Sequence, residues 1–402
     1  MHSGWAAVAE VDWSRLFHAY GVASDTPAHL RALTGDDEDA REEALDHLWS
    51  AVIHQGTPWS VTPPAALVVA GLLADLGSAE PASDSISAAA GFQAKPLRGS
   101  MLRFLAAVAE AAEPDTAEEE IRAVAYPEDR EDEIDTALEA ILAGDEGAWG
   151  DESIDAIMAR VVLDIRAIAP VLLGSAIACL DDPDLRVRAD AVGAVGALAL
   201  VPGAIASTDD LVVRLEQAAD QAKDHNERCA IVLTLGEVGA TPRAFLTDPH
   251  PAVRACAALA PTLADDDAAT QEILTALRNP TEADSWLDDH PRQLSGFLRF
   301  ALVAAAVQRA KSFDELLPSA LAIASMTSHW TVESDWGPLL AAAFPVPVGE
   351  PPILTDAQRI YLQALVANDK VWDPVMGNPV PWFQRIGLSY DRDSCRNLLS
   401  IA

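Results

Sequence analysis

The chain has 402 residues, half of them apolar, and its 62 acidic and 27 basic side chains give a formal net charge of −35. This charge repels the phosphate backbone of nucleic acids and anionic membrane surfaces, so general binding to DNA, RNA or membranes is excluded as a first hypothesis. Alanine is plentiful and β-branched alternation is scarce, and the sequence therefore predicts an all-α protein.

The apolar segments predict neither a secretory signal nor a membrane span. Residues 1–11 have no basic region ahead of a long apolar core. The most apolar run, Ala191 to Ala206, is shorter than the roughly 20 residues that a span needs, and it contains Pro202. The four cysteines are Cys179, Cys229, Cys256 and Cys395, and no two of them form a CxxC pair. This pattern favours free thiols in a reducing compartment, and we expect the first three to be buried in apolar helices. We expect a soluble, cytoplasmic protein.

The first 76 residues carry aromatic side chains and one distinctive segment. Residues 1–24 predict an amphipathic cap whose aromatic rings close one end of the fold. A short helix is expected over Asp25 to Leu33, and a longer one opens at Asp37. In the segment after it, Gly56 is interpreted as the C-terminal cap of a helix, ahead of an apolar helix over Pro63 to Leu76. The alternative is a binding role for this segment, with these candidate residues: Trp49, His54, Gln55 and Trp59.

The middle of the chain is acidic but keeps helical periodicity. The stretch from Gly77 to Gly99 predicts a long flexible loop, followed by a helix from Leu97 to Ala112. Thr116 to Glu119 fits a capping box for the next helix. Acidic residues crowd between Glu110 and Asp155 above apolar residues at helical spacing, so we expect a folded region with an acidic surface patch.

One motif occurs twice, 66 positions apart. Asp182-Pro183-Asp184-Leu185-Arg186-Val187-Arg188 is echoed by Asp248-Pro249-His250-Pro251-Ala252-Val253-Arg254. An Asp can accept bonds from unpaired N–H groups and Pro tolerates the first turn, so each motif predicts a helix start. The stripe after the first motif must be buried: Val187, Ala191, Ala194, Val195 and Leu198. The segment Ala169 to Leu180 is the expected antiparallel partner of this helix.

These two motifs resemble the HEAT repeat, in which an Asp and an Arg six positions apart flank the turn between two helices. The resemblance implies a HEAT-like α-solenoid of stacked antiparallel helical hairpins, with the Asp and Arg residues in a polar ladder between repeats. Four residues would form this ladder, rather than face a ligand: Asp182, Arg188, Asp248 and Arg254. The run Leu48 to Thr57 with the helix after it also resembles a segment of actinobacterial HEAT-repeat proteins, over residues 11–77.

We therefore expect one array over residues 1–402, with a cap (1–24), helical repeats (25–325) and divergent C-terminal repeats with a second cap (326–402). Gln293 to Arg309 and Phe313 to Ala324 predict a helical pair, and Thr355 with Gln358 predicts a capped helix. Aromatic residues crowd the C-terminal region, where they form either a cap or a binding surface: Trp330, Trp336, Trp372, Trp382 and Phe383.

Catalytic motifs are absent from the sequence. It has no GxxxxGK[ST] loop, GxGxxG, GxSxG or HExxH. His47 and His54, seven positions apart, lack nearby cysteine, so no metal site or cofactor is predicted. We expect a non-enzymatic scaffold that binds a protein partner, which can be a basic one, on a concave surface. Two alternatives stay open. One is an inhibitor or immunity-type protein whose acidic surface masks a basic site on a toxin or nucleic-acid-binding protein. The other is a small-molecule or cofactor-handling HEAT protein with its site near His54 and Trp59.

Overall fold

The computed structural model describes residues 3–76, 96–150, 152–288, 290–349, 351–373 and 375–401. In these ranges the chain forms twenty α-helices, and its strands are four segments of two residues each, so the all-α prediction is confirmed. Most of the loop expected between Gly77 and Gly99 lies outside the described residues. Internal contacts divide the chain into two compact units, Met1–Gln221 and Ala222–Ala402. The subdivision into caps and repeats stays a prediction.

Unit 1 is built around α8 and α9. Helix α8 packs against α4, α6, α7 and α9, and α5 packs against α4 and α9. The apolar stripe of α9 is buried as expected, including Val187 and Leu198. The helices of unit 1 are α1 (Trp5–Glu10), α2 (Thr26–Ala32), α3 (Glu38–His47), α4 (Thr62–Asp75), α5 (Leu97–Glu110), α6 (Glu118–Ala125), α7 (Glu131–Leu142), α8 (Ser153–Ala178), α9 (Leu185–Leu200) and α10 (Asp209–Gln221).

Helix α8 corrects the prediction of a separate helix over Ala169 to Leu180. It is one helix of 26 residues that continues through Pro170. By length and apolar composition, the stretch Ser153–Asp181 is able to cross a membrane, but 56% of its most apolar window is buried inside the protein. This burial is typical of the core helix of a soluble protein.

Two short hairpins replace helical structure expected near the N-terminus. Strand β1 (Phe17–His18) pairs with β2 (Gly21–Val22), and β3 (Ile53–His54) pairs with β4 (Thr57–Pro58). Gly56 is therefore not a helix cap. Gln55 and Gly56 together form the second hairpin loop. Their φ angles are 52° at Gln55 and 83° at Gly56, and both are positive, as a two-residue turn of type I′ requires.

The segment predicted to form the N-terminal cap consists of several short elements. Residues 3–24 form α1, a 3₁₀ turn and the first hairpin rather than one amphipathic element. Trp13 and Phe17 are buried, whereas Trp5 and Tyr20 are exposed. The aromatic residues of this segment therefore divide between core and surface.

Helix starts follow local hydrogen bonding. Asp182 and Asp248 lie two residues ahead of the N-caps, Asp184 and His250, whose side chains accept bonds from the helix. The predicted start at the Asp-Pro pair is therefore wrong by two residues. The capping box expected at Thr116 is absent, since α6 begins after Ala117 without a side-chain cap. The box of Thr355 with Gln358 is confirmed.

Unit 2 has a continuous aromatic and aliphatic core. Trp336 and Phe383 are fully buried, and Trp372 stacks on Tyr390 with ring centroids 5.3 Å apart. Trp330 is exposed. The C-terminal aromatics thus belong mainly to the core. The helices are α11 (His225–Glu237), α12 (Pro251–Ala258), α13 (Asp267–Ala276), α14 (Pro280–Asp284), α15 (Leu298–Arg309), α16 (Phe313–Met326), α17 (Trp336–Ala343), α18 (Asp356–Ala367), α19 (Val380–Arg385) and α20 (Arg392–Ile401).

All four cysteines are free and buried. Burial raises the pKa of the Cys395 thiol to about 12. The prediction of buried free thiols is confirmed for the first three, and Cys395 behaves in the same way.

Candidate functional site

The two repeated motifs form the same turn. Arg188 Nη1 donates to the carbonyls of Asp182 and Pro183, at 2.7 and 3.2 Å. Arg254 Nη1 does the same with the carbonyls of Asp248 and Pro249, at 2.9 and 3.4 Å. Each arginine therefore supplies donors to carbonyls that precede its own helix.

The aspartates of the motifs bind arginines from earlier elements. Asp182 is buried and pairs with Arg98 of α5. Asp248, also buried, pairs with Arg228 of α11 at 2.5 Å. Buried carboxylates need such partners, because an unpaired charge away from water is costly. These contacts fasten each turn to a neighbouring helix.

The four candidate binding residues do not converge on one site. Trp49 is 41% exposed and meets Phe104 edge-on. His54 Nδ1 lies 2.9 Å from the carbonyl of Ser50, in the helical turn Leu48–Val52 that follows α3. Gln55 is exposed in the hairpin loop. Trp59 is half-buried, and its ring packs edge-on against Phe17 and Trp149: the centroid distances are 6.1 and 5.5 Å.

A groove of about 650 Å³ opens beside the second hairpin and is called the acidic groove below. Its walls come from the hairpin, the end of α5 with the segment after it, α6, and the first turns of α8. Its apolar lining includes Pro58, Ile121, Val124, Met158 and Val162, and its acidic lining consists of Glu110, Glu113, Glu120 and Asp155.

The acidic groove combines exposed carboxylates with an unusually exposed apolar side chain. All four acidic residues are exposed, and Val124 is 48% exposed although Ile121, one turn earlier on α6, is buried. Among the described residues, no ion-pair partner faces the carboxylates of Glu113, Glu120 or Asp155. The groove can therefore accept a ligand that is both apolar and cationic.

A second group of polar residues lies at the start of α2 and is called the histidine cluster: His18, Asp25 and His47. One ligand atom of each lies within 4.8 Å of the others. His18 Nε2 is 3.1 Å from Asp25 Oδ1, and Thr26 Oγ1 is 3.0 Å from His47 Nε2. The ring of His29 stacks on His47 at 4.1 Å.

The electrostatics of the cluster follow from its burial. Burial and the neighbouring His29 lower the pKa of His47 to about 4, so this imidazole is neutral at pH 7. Burial works against ionisation of Asp25, but the adjacent His18 outweighs it and holds the pKa of this carboxyl below 3.8. The cluster therefore presents a carboxylate beside a neutral imidazole.

A cavity of about 350 Å³ in unit 2 adjoins the second motif. His225 and His250 stack there at 4.1 Å, and Arg228 and Asp248 line the same cavity. His225 Nε2 is held 2.9 Å from the Trp286 carbonyl. Arg228 and Asp248 pair with each other in this cavity, so it is the weaker candidate for a charged ligand.

Sequence reasoning missed the histidine cluster. It considered His47 only with His54, whereas the fold brings His47 to His18 and Asp25. One signal was present: five of the nine histidines occur in the first 54 residues. Comparison with protein-family models, with curated proteins and with solved structures finds no match for this chain.

Proposed function

We propose that the protein is a non-enzymatic, cytoplasmic interaction protein, a HEAT-like α-solenoid that binds a basic amphipathic segment of a protein partner. The acidic groove is the observation that carries this proposal. It offers an apolar lining to one face of a helix, and it offers the carboxylates of Glu113, Glu120 and Asp155 to the lysines or arginines beside that face. The recurring Arg-to-carbonyl turn supports the HEAT-like arrangement.

The two kinds of lining have different roles in this binding. Covering an exposed valine contributes on the order of 1 kcal/mol, from about 25 cal/mol per Å² of apolar area. Exposed carboxylates contribute less to affinity, but they accelerate association and reject acidic segments. Glu113, Glu120 and Asp155 therefore select a cationic partner, while Val124 and its apolar neighbours hold it.

A direct test uses two fluorescent peptides of about 18 residues. One has leucines at helical spacing with lysines between them, and the other carries glutamates in place of the lysines. Fluorescence anisotropy with the full-length chain is expected to show saturable binding of the lysine peptide, weakened by salt. The glutamate peptide should not bind.

Variants locate the binding surface. The double variant Glu120→Lys, Asp155→Lys should weaken lysine-peptide binding about tenfold, the ratio that 1.4 kcal/mol produces. The matched control is Glu42→Lys, Glu43→Lys, which makes the same charge change on the exposed face of α3. Equal weakening by both doubles would mean that only net charge matters, and the groove assignment would be wrong.

The second candidate function is that of an inhibitor or immunity-type protein. The negative charge of residues 110–155 favours it. Residues 110–155 contain eighteen acidic residues and only two arginines, Arg122 and Arg130. Such a surface can cover a basic site on a toxin or nucleic-acid-binding protein. A partner captured at low salt would then lose its nucleic-acid binding in the complex. A captured partner that still binds nucleic acid with unchanged affinity would remove this candidate.

A further inference from the structure

The histidine cluster offers a ligand set that the interaction function does not use. His18 ends β1, Asp25 immediately precedes α2, and His47 is the last residue of α3. The two histidines are only 5% and 8% exposed, whereas the Asp25 side chain is 52% exposed. The imidazoles are thus held inside unit 1, and the carboxylate lies at the solvent boundary, where an ion can enter.

Asp25 has an orientation that helix capping does not explain. It occupies the N-cap position of α2, where an Asp side chain usually accepts a bond from the backbone N–H of the first turn. Here that capping bond is absent, and the carboxylate faces His18 instead. The side chain therefore gives up its common local role and joins a group of potential metal ligands.

We propose that His18, Asp25 and His47 bind one divalent transition-metal ion of the Zn²⁺, Co²⁺ or Ni²⁺ class. Two imidazole nitrogens and one carboxylate oxygen suit these ions, whereas Mg²⁺ and Ca²⁺ prefer sets made of oxygen alone. Three protein ligands leave a fourth position for water or for a group from outside the cluster.

The distances require a small closure around the ion. Ligands about 2.1 Å from a tetrahedral metal lie about 3.4 Å from one another. The atoms of His18 and Asp25 are already 3.1 Å apart, and no separation in the cluster exceeds 4.8 Å. A movement of at most about 1.4 Å, from 4.8 to 3.4 Å, by His47 or by the exposed Asp25 side chain completes the geometry.

Metal binding also changes one hydrogen bond of the first hairpin. His18 Nδ1 accepts from the Tyr20 N–H at 3.1 Å, so the neutral ring carries its proton on Nε2, facing Asp25. Binding of the ion at Nε2 moves this proton to Nδ1, and the Tyr20 N–H then needs another acceptor. Tyr20 is exposed, so water can replace the lost bond. A shift of the Tyr20 amide resonance is therefore a specific signature of the site.

The test uses the full-length chain without a histidine tag, stripped of metal with a chelator. Calorimetric titration should show that the chain binds one equivalent of Zn²⁺ with a Kd in the micromolar range or tighter. Bound Co²⁺ should give the visible absorption spectrum of a tetrahedral ion with nitrogen and oxygen ligands. Mg²⁺ should not compete. The variants His18→Gln and His47→Gln should each weaken Zn²⁺ binding at least tenfold, while the control His54→Gln, outside the cluster, should leave it unchanged.

Several outcomes would overturn the proposal. These are the absence of stoichiometric uptake, a thiolate charge-transfer band that assigns the ion to a cysteine, or equal affinity in His18→Gln and the parent chain. If a histidine variant fails to fold, Asp25→Asn replaces it, because this exposed side chain makes no helix-capping bond. Unchanged affinity in folded Asp25→Asn, together with an unmoved Tyr20 amide, would also refute the site. The outcome of the Zn²⁺ titration does not depend on the acidic groove, so this proposal and the proposed function can fail separately.

Discussion

Arg299 of α15 is the most heavily buried cation for which the structure shows two acidic partners. It is 4% exposed and pairs with Asp284 and with Asp335, whose Oδ2 lies 3.3 Å from Nε. Its guanidinium also lies over the rings of Phe297 and Phe300, at 4.4 and 4.5 Å from their centroids. Replacing Arg299 with Met keeps most of the volume but leaves two buried carboxylates without their cation.

The expected loss is about 3–5 kcal/mol of unfolding free energy at neutral pH, the usual result of breaking a buried ion pair from one side. The loss should depend on pH. Burial already raises the pKa of Asp335 above 3.8, against the lowering effects of Thr327, the Trp336 N–H and Arg299. Without Arg299 this pKa rises further. A carboxyl with a raised folded pKa destabilises the fold as pH increases through that pKa, so the loss should shrink toward pH 5.

Urea denaturation followed by circular dichroism at pH 5 and pH 7.5 measures both effects. Adding Asp335→Asn to Arg299→Met should recover part of the stability at pH 7.5 and little at pH 5. The matched control is Arg309→Met on the same helix, because Arg309 donates to the carbonyls of Ala258, Leu259 and Ala260. Its loss should be independent of pH. Equal losses for Arg299→Met at both pH values would refute the reasoning.

Three further predictions concern local geometry. Arg254→Met removes the bonds to the carbonyls of Asp248 and Pro249, and should lower the unfolding free energy by about 1–2 kcal/mol in thermal denaturation. Gly56→Ala should lower the unfolding free energy by about 1–2 kcal/mol in the same measurement, because alanine is strained at the φ of 83° even though no atom blocks the new Cβ. Gly56→Asn should lower it less, because Asn tolerates this conformation better. Gly71→Ala places a Cβ 2.1 Å from the backbone nitrogen of Gly4, so α1 should detach and limited proteolysis should cleave near it faster.

The repeated motif predicted the helices well, but not their first residue. An N-cap residue normally has extended backbone, so the extended aspartates before proline were compatible with a helix start. Asp184 has φ −82° and ψ 118°, and His250 has φ −89° and ψ 126°, so the backbone is still extended two residues after each aspartate. Helical backbone begins only at the next residue, Leu185 or Pro251. Asp184 and His250 take the cap instead, so the sequence placed the turn correctly and misread which side chain closes it.

The second hairpin and the histidine cluster could not be predicted from sequence patterns, for different reasons. The hairpin loop uses Gln55 where Asn or Asp is usual, and its strands are too short to show alternation. The histidine cluster joins residues up to 29 positions apart through three separate elements. Only tertiary packing brings His18 to His47, so spacing along one helix, as between His47 and His54, pointed to the wrong pair.

A third turn shows which part of the motif matters. Arg41 donates to the Gly35 carbonyl at 2.7 Å, six residues back, as Arg188 and Arg254 do, although no Asp-Pro pair precedes it. In all three turns the arginine lies four residues after the N-cap.

The arginine and the aspartate therefore have separable tasks. The arginine closes its own turn, and it does so at Arg41 without an aspartate six residues earlier. The aspartate, where present, receives an arginine from another helix, as Asp248 does from Arg228. Arg228 itself lies four residues after its N-cap, Asp224. It reaches forward to the second motif, which is the kind of contact that the proposed polar ladder would use. The arginine four residues after the N-cap therefore occurs at all four of these helix starts, whereas the Asp-Pro pair occurs at only two of them.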